Sequence, residues 1–151
     1  MRSNLSEVDV YTDGACLGNP GPGGWAAILI YGEHTKELSG WERQSTNQRM
    51  ELTAAIRALA ALKRPCRVRV HSDSAYLVNA FRLGWVDRWR RTGWRTKAKT
   101  DVENRDLWEE LIRLVEKHEV EWVKVKGHGD DERNNRCDEL ARAAAKRAAE
   151  T

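Results

Sequence analysis

The sequence has few cysteines, few prolines and no long hydrophobic run. Its three cysteines, Cys16, Cys66 and Cys137, are an odd number and form no CxxC pair, which argues against a disulfide framework and a zinc site. No apolar stretch approaches the roughly 18 residues that a membrane-spanning helix needs. The N-terminus also lacks the apolar core of a secretion signal. The sequence therefore predicts a cytoplasmic protein that is neither secreted nor inserted into a membrane.

What is present describes an ordinary globular protein. A chain of 151 residues is long enough to bury a core without disulfides, and its hydrophobic fraction is 40% and its charged fraction 32%. We find no internal repeat, low-complexity tract or second domain. We therefore expect one catalytic or binding domain over residues 1–151, and a monomer.

Positive charge is concentrated in one stretch, residues 82–99, which we call the basic segment. The net charge of the chain is only +3, but this segment carries seven basic residues and one acid, so that it is +6 and the rest of the chain is −3. Such a concentration is typical of a surface that binds phosphates. A solvated helix surface explains the charge run equally well.

Hydrophobic periodicity predicts a mixed α/β architecture. Alternating or continuous apolar residues indicate strands at 8–13, 25–31, 35–41, 67–72 and 119–125, with a turn at Asp13–Gly14 and a glycine- and proline-rich loop at 18–24. Helices are expected from Thr46 or Asn47 to about Leu62, and over about 74–83, 106–118 and 136–149. This order predicts a sheet that is antiparallel on one side and parallel on the other, with helices on its faces.

Two aspartates, Asp13 and Asp73, end strands with similar sequences. If these strands are parallel neighbours, both carboxylates emerge at the carboxyl edge of the sheet, where open α/β sheets place their ligands. Aspartate is also a common turn former at the end of a strand. The position of each residue alone does not decide between these two interpretations.

Glu51 lies on a helical stripe that is otherwise apolar, with Ala55, Ala58 and Leu62 on the same face. Burying a carboxylate there is unfavourable unless a partner or a metal compensates its charge. The alternative is a glutamate in the first turn of the helix, favoured by the helix dipole and exposed to solvent.

Asp138 is expected in the first turn of the last helix, where acidic residues are common. Four acids brought together would repel one another, and a hard divalent cation bound by oxygens would remove that repulsion. No cluster of histidines and cysteines points to zinc instead. The four carboxylates therefore predict Mg²⁺, with Mn²⁺ as a substitute, in a two-metal phosphoryl displacement.

His128 lies between two glycines just before the last helix. A mobile histidine beside a metal cluster can transfer protons, because its ordinary pKa lies near neutral pH. A solvent-exposed loop histidine with no role is the alternative.

Five short motifs, at residues 11–21, 46–52, 72–74, 125–128 and 137–141, resemble those of bacterial type 1 ribonuclease H in order and spacing. The resemblance extends from about Val8 to Ala145. It implies the ribonuclease H-like fold, a five-stranded mixed sheet with helices on both faces. It also implies an endonuclease that hydrolyses the RNA strand of RNA–DNA hybrids and leaves 5′-phosphate and 3′-hydroxyl ends. A related integrase-like or resolvase-like nuclease acting on DNA, and a non-catalytic hybrid-binding module, are the competing hypotheses.

The same resemblance implies roles for individual residues. Asp13, Glu51, Asp73 and Asp138 would be the catalytic metal ligands, and His128 would assist proton transfer and product release. Gly14, Cys16 and Asn19 would lie on the loop beside the cut strand. Thr46 and Asn47 would occupy phosphate-binding and minor-groove positions, with Gln48 also at the minor groove. The residues that would hold the DNA strand are Trp85, Arg88, Trp89, Arg90, Arg91, Trp94 and Arg95.

This sequence departs from the family pattern in two places. Gln48 stands where bacterial relatives often have asparagine, and Asp101 and Glu103 add acids just beyond the basic segment. The tryptophans among the substrate-binding positions are equally explained by packing at a corner between helices.

Overall fold

The structure, a computed structural model, describes residues 5–127 and 129–151. Five strands form one sheet in the order β3-β2-β1-β4-β5. Their bounds are β1 Ser6–Cys16, β2 Gly21–Tyr31, β3 His34–Ser45, β4 Cys66–Ser72 and β5 Glu119–Lys124. The helices are α1 Asn47–Ala60, α2 Ala75–Arg82, α3 Trp85–Arg91, α4 Arg105–Val115 and α5 Glu132–Ala149.

The sheet is mixed, as the sequence predicts. Strands β1, β2 and β3 pair antiparallel, whereas β1–β4 and β4–β5 pair parallel. The predicted five-stranded mixed sheet, antiparallel on one side and parallel on the other, is therefore confirmed.

Two hydrophobic clusters cover the two faces of the sheet. On one face, Val10, Val68 and Val70 pack with residues of α1, α2 and α4, including the fully buried Trp108. On the other face, Tyr11 of β1 packs with Cys137 of α5. Adjacent residues of β1 thus face opposite layers, as the alternation of a strand requires. No helix in the described part of the chain is both long and apolar enough to cross a membrane.

The predicted turn at Asp13–Gly14 and the predicted loop at 18–24 are partly wrong. Strand β1 continues to Cys16, which pairs with Gly23 of β2. The glycines serve close packing here: a Cβ added to Gly24 would lie 2.3 Å from the carbonyl oxygen of Ala141 in α5. Because a glycine-rich strand and a glycine-rich loop have the same composition, the sequence alone did not separate them.

Two helices also differ from the prediction. The basic segment contains a helix of its own, α3, where no separate helix was predicted. Helix α5 begins at Glu132 rather than at 136, because the Asp131 side chain caps it by accepting hydrogen bonds from the amides of Arg133 and Asn134. The longer helix changes the position of Asp138, as described below.

Candidate active site

Three carboxylates converge at one edge of the sheet. Asp13 belongs to β1, Asp73 directly follows β4, and Glu51 belongs to α1, and each offers an oxygen atom such that all three atoms lie within 4.8 Å of one another. Strands β1 and β4 are parallel neighbours in which Tyr11 pairs with His71. Both aspartates follow this pair by two residues, which explains why they emerge side by side.

Glu51 reaches this edge because α1 packs unusually close to β1 at Gly14. The Gly14 amide donates hydrogen bonds to Asp13 Oδ1 at 2.9 Å and to Glu51 Oε1 at 2.5 Å. A Cβ on Gly14 would lie 2.5 Å from the Glu51 nitrogen and 2.6 Å from the Met50 carbonyl carbon. Gly14 is therefore part of the architecture of the cluster, and it lies within β1 rather than on the loop where it was predicted.

Burial makes the cluster electrostatically unfavourable without a cation. Asp13 and Glu51 are only 4% and 5% exposed. Desolvation, followed by the charge of Asp73, raises the pKa of Asp13 to about 7. Desolvation, followed by the charge of Asp13, raises the pKa of Glu51 well above its ordinary value. A donor set of carboxylate oxygens fits a hard divalent cation, which would offset both effects.

Asp138 lies next to the three carboxylates but is not one of the group within 4.8 Å. Its charge and a hydrogen bond help to raise the pKa of Asp13, and its own carboxylate pairs with Arg142 one helical turn later. The prediction that Asp138 lies in the first turn of α5 is wrong, because Asp138 follows the first residue of the helix, Glu132, by six residues. The helix dipole therefore does not account for an acid at this position.

His128 lies outside the described residues, but the chain leading to it is placed. Gly127 passes close to Asp73, since a Cβ added there would lie 2.9 Å from Asp73 Oδ2. Sequence reasoning assigned no role to Gly127. The only indication in the sequence was its position directly before His128, a candidate functional residue.

Asn19, predicted beside the cut strand, and the predicted phosphate-binding and minor-groove residues Thr46, Asn47 and Gln48 lie at the N-terminus of α1. The Thr46 hydroxyl caps the helix by accepting from the Arg49 amide at 3.1 Å. Asn19 Oδ1, from the turn between β1 and β2, accepts from the Asn47 amide at 3.0 Å. Asn19, Asn47 and Gln48 are exposed, so their remaining polar atoms face solvent.

Cys16 is half-buried at the end of β1, close to this turn. Its thiol donates to the Gly21 carbonyl at 3.4 Å. The structure thus places it, like Gly14, in the strand itself rather than on the loop.

The arginines of the basic segment are exposed, but they differ in their partners. Arg90 pairs with Glu116, directly after α4, at 3.3 Å, and Arg95 pairs more loosely with Asp101 at 3.8 Å. Among the described residues, Arg88 and Arg91 take part in none of the ion pairs found. Their positive charge is therefore less compensated than that of Arg90 and Arg95.

The tryptophans of this segment pack against one another and against the core. The Trp89 ring lies 6.3 Å from Trp85, 5.9 Å from Trp94 and 5.2 Å from Trp108, measured between centroids. Trp94 is only 7% exposed. The packing interpretation therefore accounts for Trp94, whereas Trp85 and Trp89 are half-buried and keep an accessible part.

Arg49 is a residue that sequence reasoning missed. It lies in the first turn of α1, and its carbonyl accepts a hydrogen bond from the Thr53 hydroxyl at 2.7 Å. Its guanidinium reaches Asp106 on α4 at 2.9 Å. A basic residue between Gln48 and Glu51 was the available signal, but its partner is distant in sequence and no local pattern identifies it.

Comparisons with known proteins agree with this geometry. The family model described as RNase H matches residues 6–146. A ribonuclease H of Moorella thermoacetica is 67% identical over 140 residues, which cover 93% of this chain and 92% of the relative. A ribonuclease H of Symbiobacterium thermophilum is 62% identical over 140 residues, covering 93% and 95%.

Solved structures give the same result. LC9-RNase H1, described as a type 1 RNase H with the type 2 active-site motif, superposes with a TM-score of 0.86 at 33% identity, covering 95% of this chain and 74% of that one. LC11-RNase H1 in complex with an RNA/DNA hybrid superposes with a TM-score of 0.70 at 23% identity, covering 93% and 98%, which shows the fold alone. By the family model, the identity with these relatives and the shared fold, this chain belongs to the ribonuclease H family.

Proposed function

We propose that the protein is an endonuclease that hydrolyses the RNA strand of RNA–DNA hybrids, with Asp13, Glu51, Asp73 and Asp138 holding Mg²⁺. The observation that carries this proposal is the group of three carboxylates within 4.8 Å, contributed by three different elements of a ribonuclease H fold. Mn²⁺ is the expected substitute, since it prefers the same oxygen ligands. Two ions would occupy the site with substrate, and the products would carry 5′-phosphate and 3′-hydroxyl ends.

Divalent cations, when bound, supply the Lewis acidity that activates water for attack on the phosphodiester and that offsets charge on the departing 3′-oxygen. The carboxylates prepare this site by being fixed and desolvated before substrate arrives. Because the pKa of Asp13 is raised to about 7, protons and cations compete for the same oxygens near neutral pH. Gly127 lies beside Asp73, and His128, the next residue in the sequence, would transfer a proton in the reaction.

Two surfaces would hold the two strands of the hybrid. The exposed amides of Asn19, Asn47 and Gln48 provide hydrogen-bonding groups next to the carboxylates, as recognition of an RNA strand by its 2′-hydroxyls requires. The exposed arginines of the basic segment provide positive charge for the phosphates of the DNA strand. We place the activity in a monomer and in the cytoplasm, as the sequence predicts.

The test is cleavage of labelled duplexes of one sequence as RNA–DNA hybrid, as double-stranded RNA and as double-stranded DNA, with Mg²⁺ and Mn²⁺ titrated separately. We expect efficient cleavage of the RNA strand of the hybrid and little cleavage of either pure duplex. Asp13→Asn is the control for contaminating nucleases. Efficient cutting of double-stranded DNA would instead support the integrase-like or resolvase-like alternative.

A further inference from the structure

Arg49 links the helix that carries Glu51 to the start of α4. Its Nη1 donates to Asn104 Oδ1 at 3.2 Å and to Asp106 Oδ1 at 3.1 Å, and its Nη2 donates to Asp106 Oδ2 at 2.9 Å. The Asp106 side chain is 66% exposed, so this pair contributes little to the stability of the fold. A two-pronged bond between a guanidinium and a carboxylate nevertheless fixes the orientation of both groups.

Asn104 extends this link to α2. Its Oδ1 accepts from Arg49, and its Nδ2 donates to the Tyr76 hydroxyl at 3.1 Å. The same hydroxyl accepts from Trp108 Nε1 at 3.0 Å. The network thus joins α1 to α4 and to α2, the helix that begins directly after Asp73 and its neighbour Ser74.

Trp108 carries the connection into the basic segment. Its ring is fully buried and lies 5.2 Å from the ring of Trp89 on α3. Helix α3 also bears Arg88, Arg90 and Arg91. A continuous series of hydrogen bonds and ring contacts therefore runs from Arg49, next to the metal-binding edge, to the exposed arginines.

We propose that Arg49 is a positioning residue that holds the basic segment at the correct distance from the carboxylate cluster, so that one hybrid duplex occupies both surfaces at once. This inference rests on the proposed function. Once a duplex has bound one surface, its binding to the second surface is intramolecular, which raises the overall affinity. This gain in affinity is lost when the two surfaces are misplaced relative to each other. Disrupting the network therefore weakens the binding of hybrid and leaves the chemistry of the bound complex intact.

The first test is Asp106→Asn, which keeps Arg49 and removes only the charge of its partner. Positioning predicts that KM for the hybrid rises by about three- to tenfold while kcat stays within about twofold. If Arg49 instead bound a substrate phosphate directly, removing a neighbouring acid would leave KM unchanged or lower it. Either of those results would overturn the proposal.

Arg49→Lys should reproduce the same rise in KM, since lysine keeps the charge but cannot form the two-pronged hydrogen bond to the Asp106 carboxylate. The matched control is Arg57→Lys, an exposed arginine on the same helix, which should leave KM and kcat unchanged. Thermal unfolding of each variant shows whether the fold is retained, and Asp106→Asn tests the proposal even if Arg49→Lys proves unstable.

The decisive measurement combines Asp106→Asn with the replacement of Arg88, Arg90, Arg91 and Arg95 by alanine. If the network acts through the basic segment, Asp106→Asn should add no further loss of kcat/KM once these arginines are gone. Full additivity would mean that the network acts elsewhere and would refute the proposal. Failure of the proposed function is distinguishable, because the wild-type protein would then not cleave hybrid at all.

Discussion

The carboxylate cluster buries its charged groups, whereas the basic segment exposes them to solvent. Asp13 and Glu51 are about as buried as core residues, and their pKa values are raised by that burial. The arginines of the basic segment are exposed, and two of them share ion pairs with nearby acids. Chemistry at a single phosphodiester requires fixed, desolvated ligands, whereas attraction of a polyanion requires only positive charge that is accessible to it.

The largest expected effect is that of a substitution in the buried carboxylate cluster. Asp13→Asn should abolish cleavage, because the proposed metal site would lose one of three carboxylates whose oxygen atoms lie within 4.8 Å of one another. Its fold should remain intact, because the substitution preserves shape. Turnover is measured with saturating hybrid and Mg²⁺, beside circular dichroism of the same sample. Turnover near that of the wild type would exclude Asp13 as a ligand.

A smaller loss is expected for His128→Ala, because the role proposed for His128 is proton transfer rather than metal binding. We expect turnover to fall by a factor on the order of 10²–10⁴, the range for general acid–base groups. Metal affinity, followed by calorimetric titration, should remain that of the wild type. A weakened affinity for Mg²⁺ would place His128 among the ligands or their supports.

Substitutions in the exposed basic segment should change the binding of hybrid more than the rate of the chemical step. Replacing Arg88, Arg90, Arg91 and Arg95 with alanine should raise KM more than it lowers kcat. Each lost phosphate contact should also remove roughly 0.7–0.9 from the slope of log affinity against log salt. A slope identical to that of the wild type would mean that these arginines only solvate a helix.

The same experiment can be sharpened by dividing the arginines into pairs. Arg90 and Arg95 already have acidic partners, whereas Arg88 and Arg91 take part in none of the ion pairs found among the described residues. The variant that lacks Arg88 and Arg91 should therefore show the larger change in slope. Equal changes would indicate that hybrid displaces the acidic partners.

The smallest effect concerns stability in metal-free buffer. The pKa of Asp13 is raised from 3.8 to about 7 in the folded protein, so the native state holds a proton that the unfolded chain releases over this range. The contribution of Asp13 to the free energy of unfolding therefore falls as pH rises from about 4 to about 7. Asp13→Asn removes this contribution and should be more stable than the wild type at pH 8 by roughly 1–3 kcal/mol.

Melting curves from pH 4 to pH 8 in the presence of EDTA measure this difference. The gap between Asp13→Asn and the wild type should widen with pH, and adding Mg²⁺ at pH 8 should narrow it by stabilising the wild type. A gap that stays constant with pH would show that Asp13 is not desolvated in solution.

The elements of the fold were predictable where a periodic pattern was strong. Alternation predicted β1 and β4 as strands, each leading to an aspartate, and the structure pairs them in parallel. This pairing brings Asp13 and Asp73 to the same edge of the sheet. The apolar stripe around Glu51 likewise predicted a buried carboxylate, and Glu51 is 5% exposed. Asp138 was misplaced within its helix because the cap at Asp131 lies in a polar stretch that also suits a loop.

Apart from α3, the sequence by itself determined the kinds of element, their order and the identity of the acids, because periodicity and capping act over a few residues. The tertiary structure decided how close α1 lies to β1 at Gly14, which tryptophans are buried and which acid pairs with Arg49. These features depend on contacts between residues that are far apart in the chain. Desolvation and ion pairing are set by those contacts, and therefore appear only once the chain has folded.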